Sequence, residues 1–478
     1  MSDSRTYSIK QLTKIQLKVA RQNKIIQFMM SAFVALLLTF VLRDPSFAIT
    51  QDYVMFLMFF AIGLWITEAI PPFAVGILII GFIVFTMGRE STIDVQQYVQ
   101  TWSDGVIWLF LGGFFLAEGM KKTKLDIVLM KFALPKFGTK SKYILLGLMI
   151  ITAVTSAFMS NTATTALMIA SITPIAIQLG KEAPLNKAIL LGIPSAAAFG
   201  GMATIIGSAP NAIAVGALEA VGVRISFVEW MMVGTPVAFI LTVIFWRILL
   251  IKYNLRNENL SLDFLTEEEI IDEDMMEEEK IKKRIVVGVF LLTFGLWLTS
   301  KFTGIPTSAI SGIPIVAFTM LGIIDADDVR SLPWDVLMLV AGGLALGMAI
   351  QEQGLATYFV SQISNFQIEY YALLLLFGLI TVTLSNFMSN TAASSILIPV
   401  AISLSSLAGN YSPMILPLVI GLSASCALLL PVSTPPNAIA YSTGNLNQKD
   451  FMLGGISIGL LGPLVAIVIT LFMVTFFI

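Results

Sequence analysis

Long apolar runs joined by short polar segments recur along the whole chain, most of them close to the ~20 residues a helix needs to cross a bilayer core. They fall at 26–42, 51–70, 72–88, 105–120, 188–217, 226–251, 285–303, 305–323, 335–350, 414–442 and 453–477. Read as helices, they predict an all-α integral membrane protein with eleven transmembrane helices. Two apolar stretches are left over, 143–179 and 370–405, and each is interrupted at its middle by the same three polar residues. These are Ser160, Asn161 and Thr162 in "MSNTATTALMIAS", and Ser389, Asn390 and Thr391 in "MSNTAASSILIPV". Each arm is then only ~14–17 residues long, short for a crossing. The pattern predicts two re-entrant hairpins; two further spans with a polar kink are the other reading.

The motifs repeat in order. "WLFLGGFFLAEGM" (108–120) is echoed by "LMLVAGGLALGMA" (337–349), "MSNTA" recurs, and "GSAPNAIA" (207–214) is echoed by "VSTPPNAIA" (432–440), at offsets of 226 to 230. Five crossings per unit is an odd number, so the second copy is inverted relative to the first. The first repeat is then 51–251 and the second 285–478, with 26–50 as a first transmembrane helix outside both. Inverted repeats with interrupted helices at equivalent places point to a secondary transporter whose site lies near the bilayer midplane.

Charge orients this arrangement. With the N-terminus in the cytoplasm, 24 of the 28 Lys and Arg fall on the cytoplasmic side, leaving Arg43, Arg89, Arg224 and Lys301 outside, as the positive-inside rule requires. The reading is a multi-pass protein of the plasma membrane with its C-terminus external. Lysines between Lys121 and Lys142 pin the 143–179 hairpin to the cytoplasm, and the 370–405 hairpin enters from outside. Residues 1–25 are basic and amphipathic, from Arg5 to Lys24; they predict a cytoplasmic interfacial helix, with a disordered tail as the alternative and no cleavable signal peptide expected. Residues 252–284, acidic over 266–279 and basic over 280–284, read as a solvated cytoplasmic linker.

Composition narrows the chemistry. The chain is 57% hydrophobic and 12% charged, against roughly 25% charged in soluble domains, and its mean hydropathy is +0.88. It has no histidine, which removes HExxH zinc sites and Ser-His-Asp triads; its one GxSxG spelling, Gly455 to Gly459, lies inside the apolar run 453–477 with no histidine in the chain to activate the serine, and it has no GxxxxGK[ST] pattern. An enzyme is not expected, nor a cofactor, nor a nucleic-acid partner; membrane lipid and a small molecule are. The single cysteine, Cys426, excludes a disulfide within the chain.

Ser, Asn and Thr are favoured N-cap residues because their oxygens accept from the free N–H groups of a first helical turn. Each interrupted stretch therefore starts a helix at its tip. Two such N-termini meeting from opposite faces would attract an anion through N–H groups and dipole ends. Pro210 and the Pro435–Pro436 pair interrupt two more apolar helices and free carbonyls there, beside Gly207, Ser208, Asn211, Ser433, Thr434 and Asn437; free carbonyls favour cations. From Tyr370 to Ile478 the only charged residues are Lys449 and Asp450, so an anion at the midplane would be held without Arg or Lys. Glu68, in "WITEAIPPF", and Glu118 read as packed, hydrogen-bonded helix-end residues, with an intramembrane functional carboxylate as the other reading.

The paired Ser-Asn-Thr tips, "SAPNAIA", "TPPNAIA" and "WITEAIPP" resemble the divalent anion/sodium symporter family over residues 50–478. The resemblance implies a homodimer with a scaffold domain at the dimer interface and a transport domain moving as an elevator. It implies carriage of dicarboxylates of the succinate, malate, fumarate and 2-oxoglutarate type. Substrate carboxylates would contact Ser160, Asn161, Thr162, Ser389, Asn390 and Thr391, with Ser208, Thr434 and Pro435 lining the site. One sodium site would use Ser156, Ser160, Asn161 and Gly207; the other would use Ser385, Met388, Asn390 and Ser433. Ala209, Asn386 and Ser433 depart from the family pattern. Sodium is the expected coupling ion, with sodium-independent exchange as the alternative and an anion channel as a more distant one.

Overall fold

The structure is a computed structural model that describes residues 2–90, 93–255, 273–364, 369–404 and 412–478; among them the chain is helical and carries no strand. The first half contains α1 (Ser2–Leu42), α2 (Ile49–Thr67), α3 (Pro72–Met87), α4 (Gln96–Gln100), α5 (Gly105–Lys122), α6 (Leu125–Ala133), α7 (Ser141–Ser156), α8 (Asn161–Leu179), α9 (Pro184–Gly201), α10 (Ala209–Ala220) and α11 (Phe227–Tyr253). The second contains α12 (Glu273–Thr303), α13 (Thr307–Ile310), α14 (Gly312–Met320), α15 (Ala326–Ser331), α16 (Trp334–Glu352), α17 (Leu355–Ser364), α18 (Tyr370–Phe387), α19 (Asn390–Leu404), α20 (Ile415–Ala424), α21 (Pro435–Ser442) and α22 (Gln448–Phe476). Among the described residues, 8 helices are long and apolar enough to cross a membrane.

Several expected elements take a different local form. The run 188–217 is two helices, α9 and α10, with a short 3-10 turn at Ile205–Gly207 between them, and 414–442 is likewise α20 and α21. Proline explains both restarts: Pro210 and Pro435 each sit in the first turn of the second helix, where the missing N–H costs nothing. No helix end marks the boundary expected at 25, since α1 is continuous. The linker is outside the described residues over 256–272, and its basic end belongs to α12, which starts at Glu273 rather than at 285. Glu278–Lys282 (2.6 Å) and Glu279–Lys283 (3.6 Å) pair one turn apart along that extension, the orientation that supports a helix.

The duplicated "GG" has a packing reason. A Cβ on Gly342 would land on the backbone of Gly76, so α16 and α3 cross in direct backbone contact. A Cβ on Gly112 would lie 2.6 Å from the Ser311 Cβ, which brings α5 equally close to the α13–α14 joint. Each copy of the motif thus docks its helix onto a helix of the other half. The hairpin arms do the same: α8 packs on α9 and α21, and α19 packs on α20 and α10. On α7 two buried hydroxyls return to the backbone one turn earlier, Thr152 to Leu148 O (2.6 Å) and Thr155 to Ile151 O (2.8 Å), which satisfies them in an apolar setting, whereas Thr164 and Thr165 on α8 and Ser394 and Ser395 on α19 are buried without a hydrogen-bond partner.

Candidate functional site

Both Ser-Asn-Thr tips are helix starts, as their chemistry predicts. Ser160 caps α8 in an extended conformation, its Oγ accepting from Ala163 N at 3.2 Å, and Ser389 Oγ accepts from Ala392 N at 3.1 Å. The N–H groups of Asn161, Thr162, Asn390 and Thr391 precede the first intrahelical bond and are left for an external acceptor. The two tips meet the two proline breaks around one cavity of about 770 Å³. Ser160, Asn161, Thr162 and Ser208 line it from the first half, and Ser389, Asn390, Thr391, Thr434 and Pro435 from the second, so the structure brings together every residue expected to touch substrate. Among the described residues neither lysine nor arginine lines it.

The cation candidates divide. Gly207, Met388 and Ser433 face the cavity together with Ser160, Asn161 and Asn390, whereas Ser156 and Ser385 lie behind the tips, fully buried. On the first side Ser156 Oγ donates to Asn161 Oδ1 at 2.7 Å. A Cβ on Gly207 would sit 2.7 Å from Gly201 O and 3.0 Å from Ala157 O, and one on Gly201 would sit 2.6 Å from Asn161 Oδ1; glycine alone admits this close gathering of oxygens. On the second side Ser385 Oγ and Asn390 Oδ1 are buried with no hydrogen-bond partner, which is how oxygens awaiting a ligand look. All these donors are neutral hydroxyl, amide and carbonyl oxygens, a set suited to a monovalent hard cation rather than to Ca²⁺ or Mg²⁺, which take carboxylates.

The asparagines of the two "PNAIA" motifs brace the breaks through their amide nitrogens, and Asn211 keeps its Oδ1 buried without a partner. Asn211 Nδ2 donates to Gly201 O (2.7 Å) and Thr204 O (2.8 Å), and Asn437 Nδ2 donates to Leu430 O (3.2 Å). Each amide staples carbonyls freed by its own helix break. Thr204 adds a second staple: its Oγ1 donates to Ala157 O and accepts from Gly207 N, tying the first tip to the first break. Asn386 does the equivalent work in the second half, accepting from Leu429 N at 2.9 Å while donating to Val382 O at 2.9 Å.

Two carboxylates line the mouth of the cavity. Glu68 is the helix-end residue expected, the C-cap of α2 in the left-handed region at φ 49, but it is exposed rather than packed and lines the cavity. Asp335, in the first turn of α16, joins it; the sequence signal for it was an acidic residue two positions ahead of the duplicated "LMLVAGG". Glu118, by contrast, pairs with Lys121 at 3.0 Å. The mouth lies at the end of the fold where α2 finishes and α16 begins; at the end of α5, whose Ala117 lines the cavity, Lys122 pairs with Asp328 and, at 3.6 Å, with Asp325.

The two breaks differ in one donor. Pro435 and Pro436 remove both early N–H groups of α21, but α10 begins with Ala209, which keeps its N–H and lines the cavity. Ala209→Pro should fold normally, because proline is favoured at a first helical position and Ser208 before it is already extended at φ -152 and ψ 139, as a residue preceding proline must be. Loss of one hydrogen bond to a charged ligand costs about 1.5–3 kcal/mol, so succinate affinity should fall roughly ten- to a hundredfold. Calorimetry on the purified variant checks this, and wild-type affinity would remove Ala209 from the site.

Helices of spanning length around a polar, lysine- and arginine-free cavity at interrupted helices define the class: a multi-pass membrane transport protein. The chain belongs to the citrate transporter family, whose model matches residues 62–421, and the expected likeness to divalent anion/sodium symporters is borne out. It is 32% identical over 448 residues to the sodium-dependent dicarboxylate transporter SdcS of Staphylococcus saprophyticus, covering 86% of this chain and 83% of that protein. SdcS of Staphylococcus aureus is 29% identical over 453 residues, covering 87% and 85%. Among solved structures the fold is similar to the Alcanivorax borkumensis YdaH transporter (TM-score 0.55, 12% identity, 85% of this chain and 98% of that one). Neisseria gonorrhoeae MtrF is similar as well (TM-score 0.56, 11% identity, 87% and 97%).

Proposed function

We propose that this protein is a secondary active transporter that carries C4 dicarboxylates such as succinate, malate and fumarate, and close relatives such as 2-oxoglutarate, across the cytoplasmic membrane by sodium symport. The observation that carries the reading is the meeting of two capped helix N-termini in one cavity without Arg or Lys. Four free N–H groups and six hydroxyl or amide side chains can hold two carboxylates, and bound cations supply the countercharge that a dianion needs in a low-dielectric setting. The sodium-dependent dicarboxylate transporters among its relatives support the same substrate class.

The reading extends to architecture. Ten of the eleven spans and two re-entrant hairpins form inverted repeats at 51–251 and 285–478, with the first span outside both. The α7–α11 and α18–α22 group is the transport domain, moving as an elevator against a scaffold of α1–α5 and α12–α16 within a homodimer. The lysine-rich segment from Lys121 to Lys142, which follows α5, supports a cytoplasmic mouth. Exchange without sodium is favoured by one feature only, the Ser156–Asn161 hydrogen bond, which completes the first tip with no cation.

Uptake of labelled succinate into proteoliposomes decides between them. Sodium outside with nothing inside should support uptake, and potassium on both sides with succinate inside should not; activity confined to the second condition overturns symport and leaves the cavity as an exchanger's site. Current exceeding any carrier turnover would make it a channel. The same vesicles test the inversion. The one native cysteine, Cys426, is buried, so a cysteine at exposed Lys140 should react only from the cytoplasmic face and one at exposed Glu369 only from the other. Reaction of both from one face would refute it.

A further inference from the structure

Between Asp126 and Glu182 the chain carries no acidic residue, yet it places Lys131, Lys136, Lys140 and Lys142 there within twelve positions. Among the described residues none of these four lysines has a carboxylate partner, unlike Lys121, Lys122, Lys282 and Lys283. They sit on α6, on the turn that leads into α7 and, for Lys142, in the first turn of α7 itself, after the spanning segment Gln96–Lys122.

The segment is amphipathic in a particular way. Asp126, Met130 and Leu134 are buried inward, while Val128 and Phe132 are 43% and 65% exposed on the same outward stripe as Lys131. Lys136 Nζ lies 3.5 Å over the Phe132 ring and Lys142 Nζ 4.9 Å over Tyr143. Arg247 extends the patch, stacked 5.0 Å over Trp246, whose Nε1 donates to Lys142 O at 2.9 Å. Apolar rings and unpaired cations interleaved at the end of spanning helices are what a membrane-surface segment presents to anionic lipid.

The second half supplies a built-in comparison. α17 occupies the same place in the helix order, between α16 and the next hairpin, and "LATYFVSQIS" has no lysine or arginine; indeed none occurs from 331 to 448. The element therefore does not need cations in order to fold. We propose that the surface of Val128, Lys131, Phe132, Lys136, Lys140 and Arg247 is a docking site for the headgroups of anionic phospholipids in the leaflet that it faces, with Phe132 seated among the upper acyl carbons.

Each lysine near an anionic surface changes partitioning about fivefold. The test is the phospholipid retained by the purified full-length protein after equilibration in mixed phosphatidylcholine and phosphatidylglycerol micelles, quantified by mass spectrometry. Wild type should enrich phosphatidylglycerol, K131Q/K136Q/K140Q should lose at least fivefold of that enrichment, and K131R/K136R/K140R should keep it. K280Q/K282Q/K283Q removes the same number of positive charges from a region rich in acid and should change little. An equal loss in that control would mean a diffuse charge effect and would overturn the site. So would absence of enrichment in wild type, or full displacement by millimolar glycerol phosphate, which would indicate a site for free phosphate compounds. Should the glutamine variant not stay monodisperse, the wild type at about 1 M salt replaces it, where the Debye length is only ~3 Å. Enrichment that persists there would equally overturn the proposal.

Discussion

Asn161→Ala and Asn390→Ala should each lower succinate affinity roughly ten- to a hundredfold, the range set by about 1.5–3 kcal/mol for a lost hydrogen bond to a charged group. Each asparagine stands at the start of a different helix and faces the one cavity between them, so neither can replace the other. Their effects on stability should differ. Asn161 Oδ1 accepts from Ser156 Oγ, and truncating it leaves a buried hydroxyl unpaired. Asn390 Oδ1 is already buried without a partner, so its removal relieves a desolvated group. The N161A protein should thus melt lower than wild type, while N390A should melt at the same temperature or higher. Calorimetry for binding and a thermal melt for folding check both halves; unchanged succinate binding in the two variants would sink the site assignment.

Gly342→Ala should prevent recovery of folded protein, whereas Gly343→Ala, one residue away, should be tolerated. A methyl group on Gly342 lands on the backbone of Gly76, where no side chain can rotate aside. α16 must then lift off α3, opening a contact that packs the helix on one side while its other side holds α10. Overpacking alone costs about 1–3 kcal/mol, and separating two backbones in direct contact adds the loss of dispersion along the crossing. Around Gly343 nothing lies within 4 Å of the added carbon, and alanine is the better helix former by ~1 kcal/mol. Yield of monodisperse protein after size-exclusion chromatography is the measurement, and equal yields would contradict the backbone crossing.

Much of this molecule was legible in the chain because a membrane removes choices. With no water to pair backbone groups in the hydrocarbon, apolar runs must be helices, and most of the expected runs coincide with observed ones. Small polar residues inside such runs stand out by their cost, so both tips were recognisable from Ser-Asn-Thr alone. Their duplication in order, with the prolines, marked the residues that line the cavity. What the chain could not reveal was which atoms those residues leave free. Asn211 and Asn437 carry oxygens and looked like cation ligands; their amide nitrogens brace carbonyls that the breaks expose, while Asn211 Oδ1 itself stays buried without a partner. Glu68 ends α2 as its sequence suggested, yet that end is exposed to the cavity, which the sequence did not reveal. Local sequence thus determined where helices start, stop and break, because capping and proline act within one turn. Only the tertiary structure decided which helix ends share a cavity and which polar atoms remain unpaired, because both depend on contacts between segments more than two hundred residues apart, such as Gly76 against Gly342.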